Sequence, residues 1–458
     1  MSGGFAPPPP PRLPAPVRRV QRDGAAPGSF SVDIETVTPI LGGAPETRAI
    51  DRVDVIRAPT IRGHLRLWWR ALQRDPELFA DAARFAAAEA ALWGRAADAA
   101  GGRSQVAVSV EMLQPARIDE GNVNVSSVEG YALWPARRNE QDPAPAPRRQ
   151  PGLRFRLHVT APAPDLPAVR NAVRAWILFG GYGGRTRRGV GSLTVAEEEQ
   201  TEWLPHLDRP DSPAGRGQLR QRLKAVFGAD VFAPAPLAMP SFPVLAGAAL
   251  VIGAFDRSGM KAWKEALEWL RDFRQRALAR DRGTEPRPGR SRWPEPDKLR
   301  RLFNTCAAAH QPRYDALPVW PRAQFGLPIL GRFSNAGPGE PPPFELTWQN
   351  DKGDVQERMA SPLVVKALPV VGGFFPCALW LTRDYPPGRV VVVRQENRAR
   401  GAVAGSAADF RAALSAADRA VARELAAPWD GSSQMRESFL SAVLGNGPGR
   451  QRPFRVAP

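Results

Sequence analysis

Cysteine is nearly absent: Cys306 and Cys377 are the two in 458 residues, too few for a disulfide framework or a four-thiolate zinc site within the chain. A reducing, cytoplasmic setting fits. Long hydrophobic runs are missing as well. The longest, Val244 to Phe255, falls short of the roughly 18 residues a membrane span needs, so no membrane partner is expected. The N-terminus offers the run Pro7 to Pro11 where a secretory signal would need an apolar core. Histidine is confined to His64, His158, His206 and His310, and neither these nor the cysteines show metal-ligand spacing. No metal and no cofactor are expected. Lysine occurs only at Lys224, Lys261, Lys264, Lys298, Lys352 and Lys366.

Arginine is what abounds. Lys+Arg number 63 against 46 Asp+Glu, a formal net charge of +17, and such a field concentrates polyanions near the surface. Codon bias alone can enrich a chain in Arg, Ala, Gly and Pro, so placement must carry the argument. A guanidinium grips phosphate with a bidentate fork that lysine lacks.

Residues 1–28 form a Pro-rich tail that cannot bury a core. From Phe30 the pattern becomes regular. Alternating Phe30, Val32 and Ile34 predict a strand, Ile61 to Leu72 and Leu78 to Trp93 helix, and Val106 to Met112 a second strand. After the polar insertion Arg137 to Pro151 come a strand through Phe155, Leu157 and Val159, a helix through Val169, Val173, Trp176 and Ile177, and a strand over Val190 to Val195. The order β-α-β-β-α-β is that of ferredoxin-like and RNA-recognition domains. We therefore expect an α+β chain of tandem ferredoxin-like domains with insertions: 29–200, a Pro/Gly/Arg-rich linker over 201–240, and 241–458. In the second half the pattern predicts a buried strand Leu245 to Phe255, a helix from Trp263 to Leu278, a loop Arg280 to Pro296, and a helix Leu299 to Ala308. Strands over Phe325–Leu330, Phe344–Trp348, Leu363–Leu368, Ala378–Leu381 and Val390–Val393 then precede a helix Ala407 to Leu425.

Two stretches carry chemistry. Gly180 to Gly191 reads Gly-Gly-Tyr-Gly-Gly-Arg-Thr-Arg-Arg-Gly-Val-Gly. The backbone at Gly181, Gly183, Gly184 and Gly189 could approach an anion, while Arg185, Arg187 and Arg188 supply charge. A helix precedes it and a strand follows, the reverse of a dinucleotide or P-loop site, and the P-loop lysine is missing. The alternative is a turn that merely holds arginines. The following strand lacks the aromatics that stack bases in RNA-recognition domains, so backbone contact is expected. The second stretch is Arg57 to Leu72, where Arg62, Arg66, Arg70 and, beyond it, Arg74 recur every fourth residue along one helical face. Like charges at that spacing repel, and a phosphate track or an acidic neighbour would remove the penalty. Trp68 and Trp69 are expected in the core. Trp69→Ala should then unfold the chain, whereas Arg66→Ala should lower RNA affinity alone.

The strings Val37-Thr-Pro-Ile-Leu-Gly-Gly43, Ile61-Arg-Gly-His-Leu-Arg-Leu-Trp-Trp-Arg70, Glu89-Ala-Ala-Leu-Trp-Gly94 and Arg187-Arg-Gly-Val-Gly-Ser192 resemble those of the RAMP proteins of CRISPR systems. The Leu-Arg-x-Trp-Trp-Arg signature is similar to that of Cmr subunit one of the type III-B effector complex. Phe325-Gly-Leu-Pro-Ile329 and Arg358-Met-Ala-Ser-Pro-Leu363 look like that subunit's C-terminal half. The resemblance implies tandem ferredoxin-like domains, binding of guide and target RNA, and a place among other Cmr-complex RAMP subunits at one end of their stack, in antiviral defence.

No catalytic residue is expected. Some RAMP proteins cut precursor guide RNA with a histidine, and here only His64 lies in a basic motif. Others use a loop aspartate, and Asp51 and Asp54 sit in a suitable loop, but local pairing with Arg48, Arg52 and Arg57 is the reading we take for them. The alternatives are a metal-independent RAMP endoribonuclease and a protein-only adaptor.

Overall fold

The computed structural model describes residues 27–95, 102–235, 242–276, 291–333, 339–356, 358–395, 401–445 and 452–457. The Pro-rich tail through residue 26 and most of the Arg280–Pro296 loop lie outside them.

The first unit opens with β1 (Pro27–Thr36), whose alternation buries Phe30, Val32 and Ile34 on one face. The helix α1 (Ala58–Leu72) carries Pro59 in its first turn, where a missing N–H does no harm. The helix expected over Leu78 to Trp93 is broken, because the Asp81 carboxylate accepts the N–H groups of Ala83 and Arg84 and starts α2 (Ala82–Trp93) afresh. Then come β2 (Ala107–Gln114), β3 (Arg154–Pro162), α3 (Leu166–Phe179) and a short β4 (Leu193–Val195). The last strand begins later than Val190, because Gly189 and Gly191 turn the chain at φ values of 74° and 68°. All pairings are antiparallel, in the order β2–β3–β1–β4.

The second unit repeats this plan with β5 (Val244–Ile252), α4 (Gly259–Arg271), β6 (Leu363–Val370), β7 (Gly373–Thr382), α5 (Ala416–Glu424), α6 (Met435–Leu444) and β8 (Phe454–Ala457). Its antiparallel order, β6–β7–β5–β8, matches that of the first. A separate small sheet, built from Ile329–Gly331, Phe344–Gln349, Val355–Gln356 and Arg389–Arg394, is inserted. The chain is thus α+β with several antiparallel sheets.

Several expectations shift in this half. The strand expected over Leu245 to Phe255 ends at Ile252. The helix expected from Trp263 to Leu278 is α-helical over Gly259–Arg271 and continues as a π-helix over Asp272–Arg276, and Leu278 lies outside the described residues. The helix expected over Leu299 to Ala308 runs instead over Glu295–Phe303, where Asn304 takes a left-handed conformation and ends it. The strand expected from Phe325 starts at Ile329, after a 3-10 turn over Pro321–Phe325. The helix expected over Ala407 to Leu425 is helical only over Ala416–Glu424, entered through the Ser415 cap.

β5 explains how the halves join. Its unbroken apolar run is buried on both faces. Leu245, Leu250 and Ile252 enter one core with α1 and α3, while Ala249 and Val251 pack with Trp263 and Leu267 of α4 in another. Of the stretch 201–240, expected as a linker, residues 201–235 form a packed connection instead, and 236–240 lie outside the described residues. Trp203, Leu204, Leu219, Leu223, Phe227 and Phe232 all enter the core of the first unit, because its polar residues alternate with apolar ones that a free linker would not need. Among the described residues, no helix is long and apolar enough to cross a membrane.

Candidate nucleic-acid interface

The Gly180–Gly191 loop lies on the seam between the two units. Gly180 closes α3, its N–H donating to the Trp176 carbonyl (2.9 Å). The loop is stitched to the Val37–Gly43 string: Gly184 N–H donates to Leu41 O, Gly191 N–H to Pro39 O and Thr38 Oγ1 to Gly189 O, each at 2.7 Å. From the second unit, the Trp263 indole N–H donates to Arg188 O (2.7 Å). A Cβ at Gly189 would come within 2.4 Å of the Trp263 ring, at φ 74°. At Gly183, φ 89°, it would come within 2.8 Å of Leu41 O. Gly181 likewise faces the Gly191 carbonyl at 2.7 Å. Since Gly184 and Gly189 N–H groups are bonded within the protein, to Leu41 O and Thr186 O, these glycines serve close packing. The backbone contact to an anion expected at those two positions is a correction the structure makes; the guanidinium groups remain.

Those groups are placed without counter-charge. Arg187 and Arg188 are half-buried and Arg185 exposed, and among the described residues none of the three pairs with a carboxylate. Burial lowers both Arg187 and Arg188 to about 10, so both stay charged at neutral pH. Two further arginines add to the cluster. Arg274, whose Nη1 donates to the Tyr131 hydroxyl (3.3 Å), repels Arg185 and Arg188, and Arg383 repels Arg187. Sequence reasoning missed both, since they follow α4 and β7, far along the chain, in unremarkable local context.

The arginine row on α1 has a different fate. Arg66 Nε donates to Glu89 Oε1 (2.6 Å), and Arg70 donates to both oxygens of the same carboxylate, at 2.7 Å to Oε2. Glu89, on α2, is 4% exposed. Burial by itself would raise its pKa, but the bonds from Arg66 and Arg70 hold it below the usual carboxylate value. Arg62 reaches the Trp93 carbonyl at 3.5 Å and Arg74 that of Ala233 at 3.2 Å. The expected phosphate track over Arg62, Arg66 and Arg70 is therefore corrected. An acidic neighbour and helix-end carbonyls relieve the repulsion, and two of the quoted motifs meet in doing so. Trp68 and Trp69 are 4% and 7% exposed, in the core as expected.

His64 stacks on Trp176, ring centroids 6.0 Å apart. Burial lowers it to about 4, leaving a neutral imidazole whose buried Nε2 has no hydrogen-bond partner. His158 bonds Ser31 (2.7 Å), His310 bonds Glu340 (2.6 Å), and His206 is exposed. The Asp51 carboxylate accepts the N–H groups of Val53 and Asp54, and Asp54 stands 3.7 Å from Arg57. Among the described residues, no cluster of three or more His, Cys, Asp and Glu side chains is arranged for a metal.

Residues 33–194, roughly a third of the chain, match the family model of the RAMP superfamily, so the resemblance to RAMP proteins extends over the first unit. Similar solved structures include the crystal structure of Cmr1 from Pyrococcus furiosus in its apo form, at 15% identity, with 94% of this chain and 99% of that chain covered and a TM-score of 0.46. They also include the cryo-EM structure of the type III-B Cmr-beta complex bound to cognate target RNA, at 10% identity, 77% and 94% coverage and a TM-score of 0.40. No curated protein gives a significant match.

Proposed function

We propose that this chain is a non-catalytic RNA-binding RAMP subunit of a cytoplasmic type III-B CRISPR effector complex, built from tandem ferredoxin-like units. It holds guide or target RNA by the phosphate backbone at one end of a stack of RAMP subunits, and leaves sequence reading to base pairing. One observation carries this reading. The three loop arginines, joined by Arg274 and Arg383, gather positive charge on a seam where no described carboxylate balances Arg185, Arg187 or Arg188. A polyanion running along the seam supplies the missing counter-charge. The RAMP match over the first unit supports the same reading. A non-catalytic role is supported by His64, which is buried against Trp176 and neutral at the pH where a ribonuclease histidine must exchange protons with solvent.

The test is salt-dependent binding of a long oligouridylate by the full chain. With about five phosphates neutralised on a single strand, log affinity should fall against log salt with a slope near −3.5. Replacing Arg185, Arg187 and Arg188 together with Gln should flatten the slope and weaken binding. A flat dependence for the unmodified chain, or specific cleavage of repeat RNA, overturns the reading.

A further inference from the structure

The polar insertion between β2 and β3 presents an aromatic ring to solvent. Trp134 is 45% exposed and is the one exposed tryptophan among the described residues, although so large a ring is usually well buried. It follows directly on the short helix Val128–Leu133, whose Ala132 and Leu133 share a core with Trp263 and Leu267 of α4. The turn after it is clamped. Arg48, itself in the left-handed region at φ 61°, donates from its guanidinium to the carbonyls of Pro135, Arg137 (3.1 Å) and Ala144 (2.8 Å) and pairs with Asp142 (3.4 Å). That backbone conformation is costly for a residue other than glycine and is held only by such surroundings. An exposed indole is thereby fixed on a rigid turn, which lowers the ordering cost of binding a flat partner.

One face of the indole is covered. The Arg137 guanidinium lies over it, 3.9 Å from the ring centroid, and also donates to the Trp134 carbonyl (2.9 Å), a cation–π contact that orients the ring. Trp134 joins none of the apolar clusters of the described residues, so its exposed area belongs to the opposite face. The surroundings are basic: neither Arg137 nor the exposed Arg138 forms an ion pair among the described residues, while Asp142 and Glu129 are taken by Arg48 and Lys264. Three residues back, Tyr131 reaches the seam. Its hydroxyl accepts from Arg274 (3.3 Å) and lies in electrostatic reach of Arg185 and Arg188. Residues three apart on a helix share a face, with Cβ atoms about 5–6 Å apart, so the indole flanks the seam arginines. We propose that Trp134 is a base-stacking platform: a single RNA strand whose phosphates lie on Arg185, Arg188 and Arg274 continues past Tyr131 and lays one base on the open indole face. This rests on the function proposed above and adds a contact to a base where the loop offers contacts to phosphate alone. Such stacking tolerates any sequence, because every base has a π-face.

Anisotropy titrations of the full chain with a long labelled oligouridylate, and with a strand of the same length lacking its bases, test this. Trp134→Ala should weaken the oligouridylate at least about fivefold, with folded, cooperatively melting protein, since the ring is exposed. Trp134→Phe keeps a smaller ring and should weaken it less. The salt slope should be unchanged in both variants, because no charge has been removed, and the strand without bases should bind all three proteins alike. A Trp134→Ala chain that binds the oligouridylate as before, or that weakens both strands equally, overturns the platform. The seam reading fails by a different result. A flat salt dependence with a surviving Trp134 effect would overturn the phosphate contacts and leave the stacking contact standing. A steep slope, flattened by the loop-arginine variant and indifferent to Trp134→Ala, would do the reverse, and absence of oligouridylate binding by the unmodified chain would overturn both.

Discussion

At the scale of single residues, Glu89 decides what the α1 arginines are for. One buried carboxylate takes bonds from Arg66 and Arg70, so truncating it leaves two guanidinium groups facing each other without a counter-charge. We expect Glu89→Ala to lower stability by about 1–3 kcal/mol, less than for a fully buried pair because both arginines are about one-third exposed. Arg66→Ala should lower stability by about 1 kcal/mol and leave RNA affinity unchanged. That reverses the outcome expected from the sequence, and denaturant melts read beside binding isotherms check it. His64 gives a pH signature. Its folded value of about 4 lies below the 6.5 of an unfolded histidine, so the unfolded chain binds the proton more readily between those values. Its contribution is fully present above pH 6.5 and is lost as pH falls towards 4, on the order of 3 kcal/mol. A melting temperature that declines as steeply in His64→Leu as in the unmodified chain over this window would contradict the assignment.

At the scale of elements, the Gly-rich loop and the Trp-bearing helix behave in opposite ways. The loop arginines are desolvated and mutually repelling, so neutralising Arg187 and Arg188 should leave stability unchanged or slightly raised while RNA binding falls. Coincident loss of both would show that these side chains hold the fold. Trp69 is buried, its ring 6.0 Å from that of Phe85 on α2, and Trp69→Ala should cost roughly 3–5 kcal/mol, seen as a lowered denaturation midpoint or insoluble protein. Much of this was legible beforehand. The β1 alternation and the α1 and α3 periodicities each report burial on one face, which is a local pattern. The broken α2, the late start of β4 and the edge strand β8 were not, because a capping aspartate, paired positive-φ glycines and a four-residue strand act through hydrogen bonds that composition does not display.

At the scale of the whole molecule, one side chain pins the halves together. Lys366 of β6 is fully buried, and its Nζ donates to Ile177 O and Gly180 O at the end of α3 (2.8 and 2.9 Å). Lys366→Met keeps the volume but orphans two buried carbonyls. We expect about 1–3 kcal/mol of destabilisation and faster hydrogen exchange across the Gly180–Gly191 loop; unchanged exchange there would show that the seam is held by apolar packing alone. The sequence by itself determined the α+β class, the strand-helix order of the first unit, the burial of the tryptophan pair and the concentration of arginine in two motifs. Each of these is written in residues close along the chain. Tertiary structure alone decided which arginines are neutralised and which are not. Glu89, Arg274 and Arg383 sit on other elements, and whether a charge meets a carboxylate or another guanidinium depends on distances that only the folded chain sets.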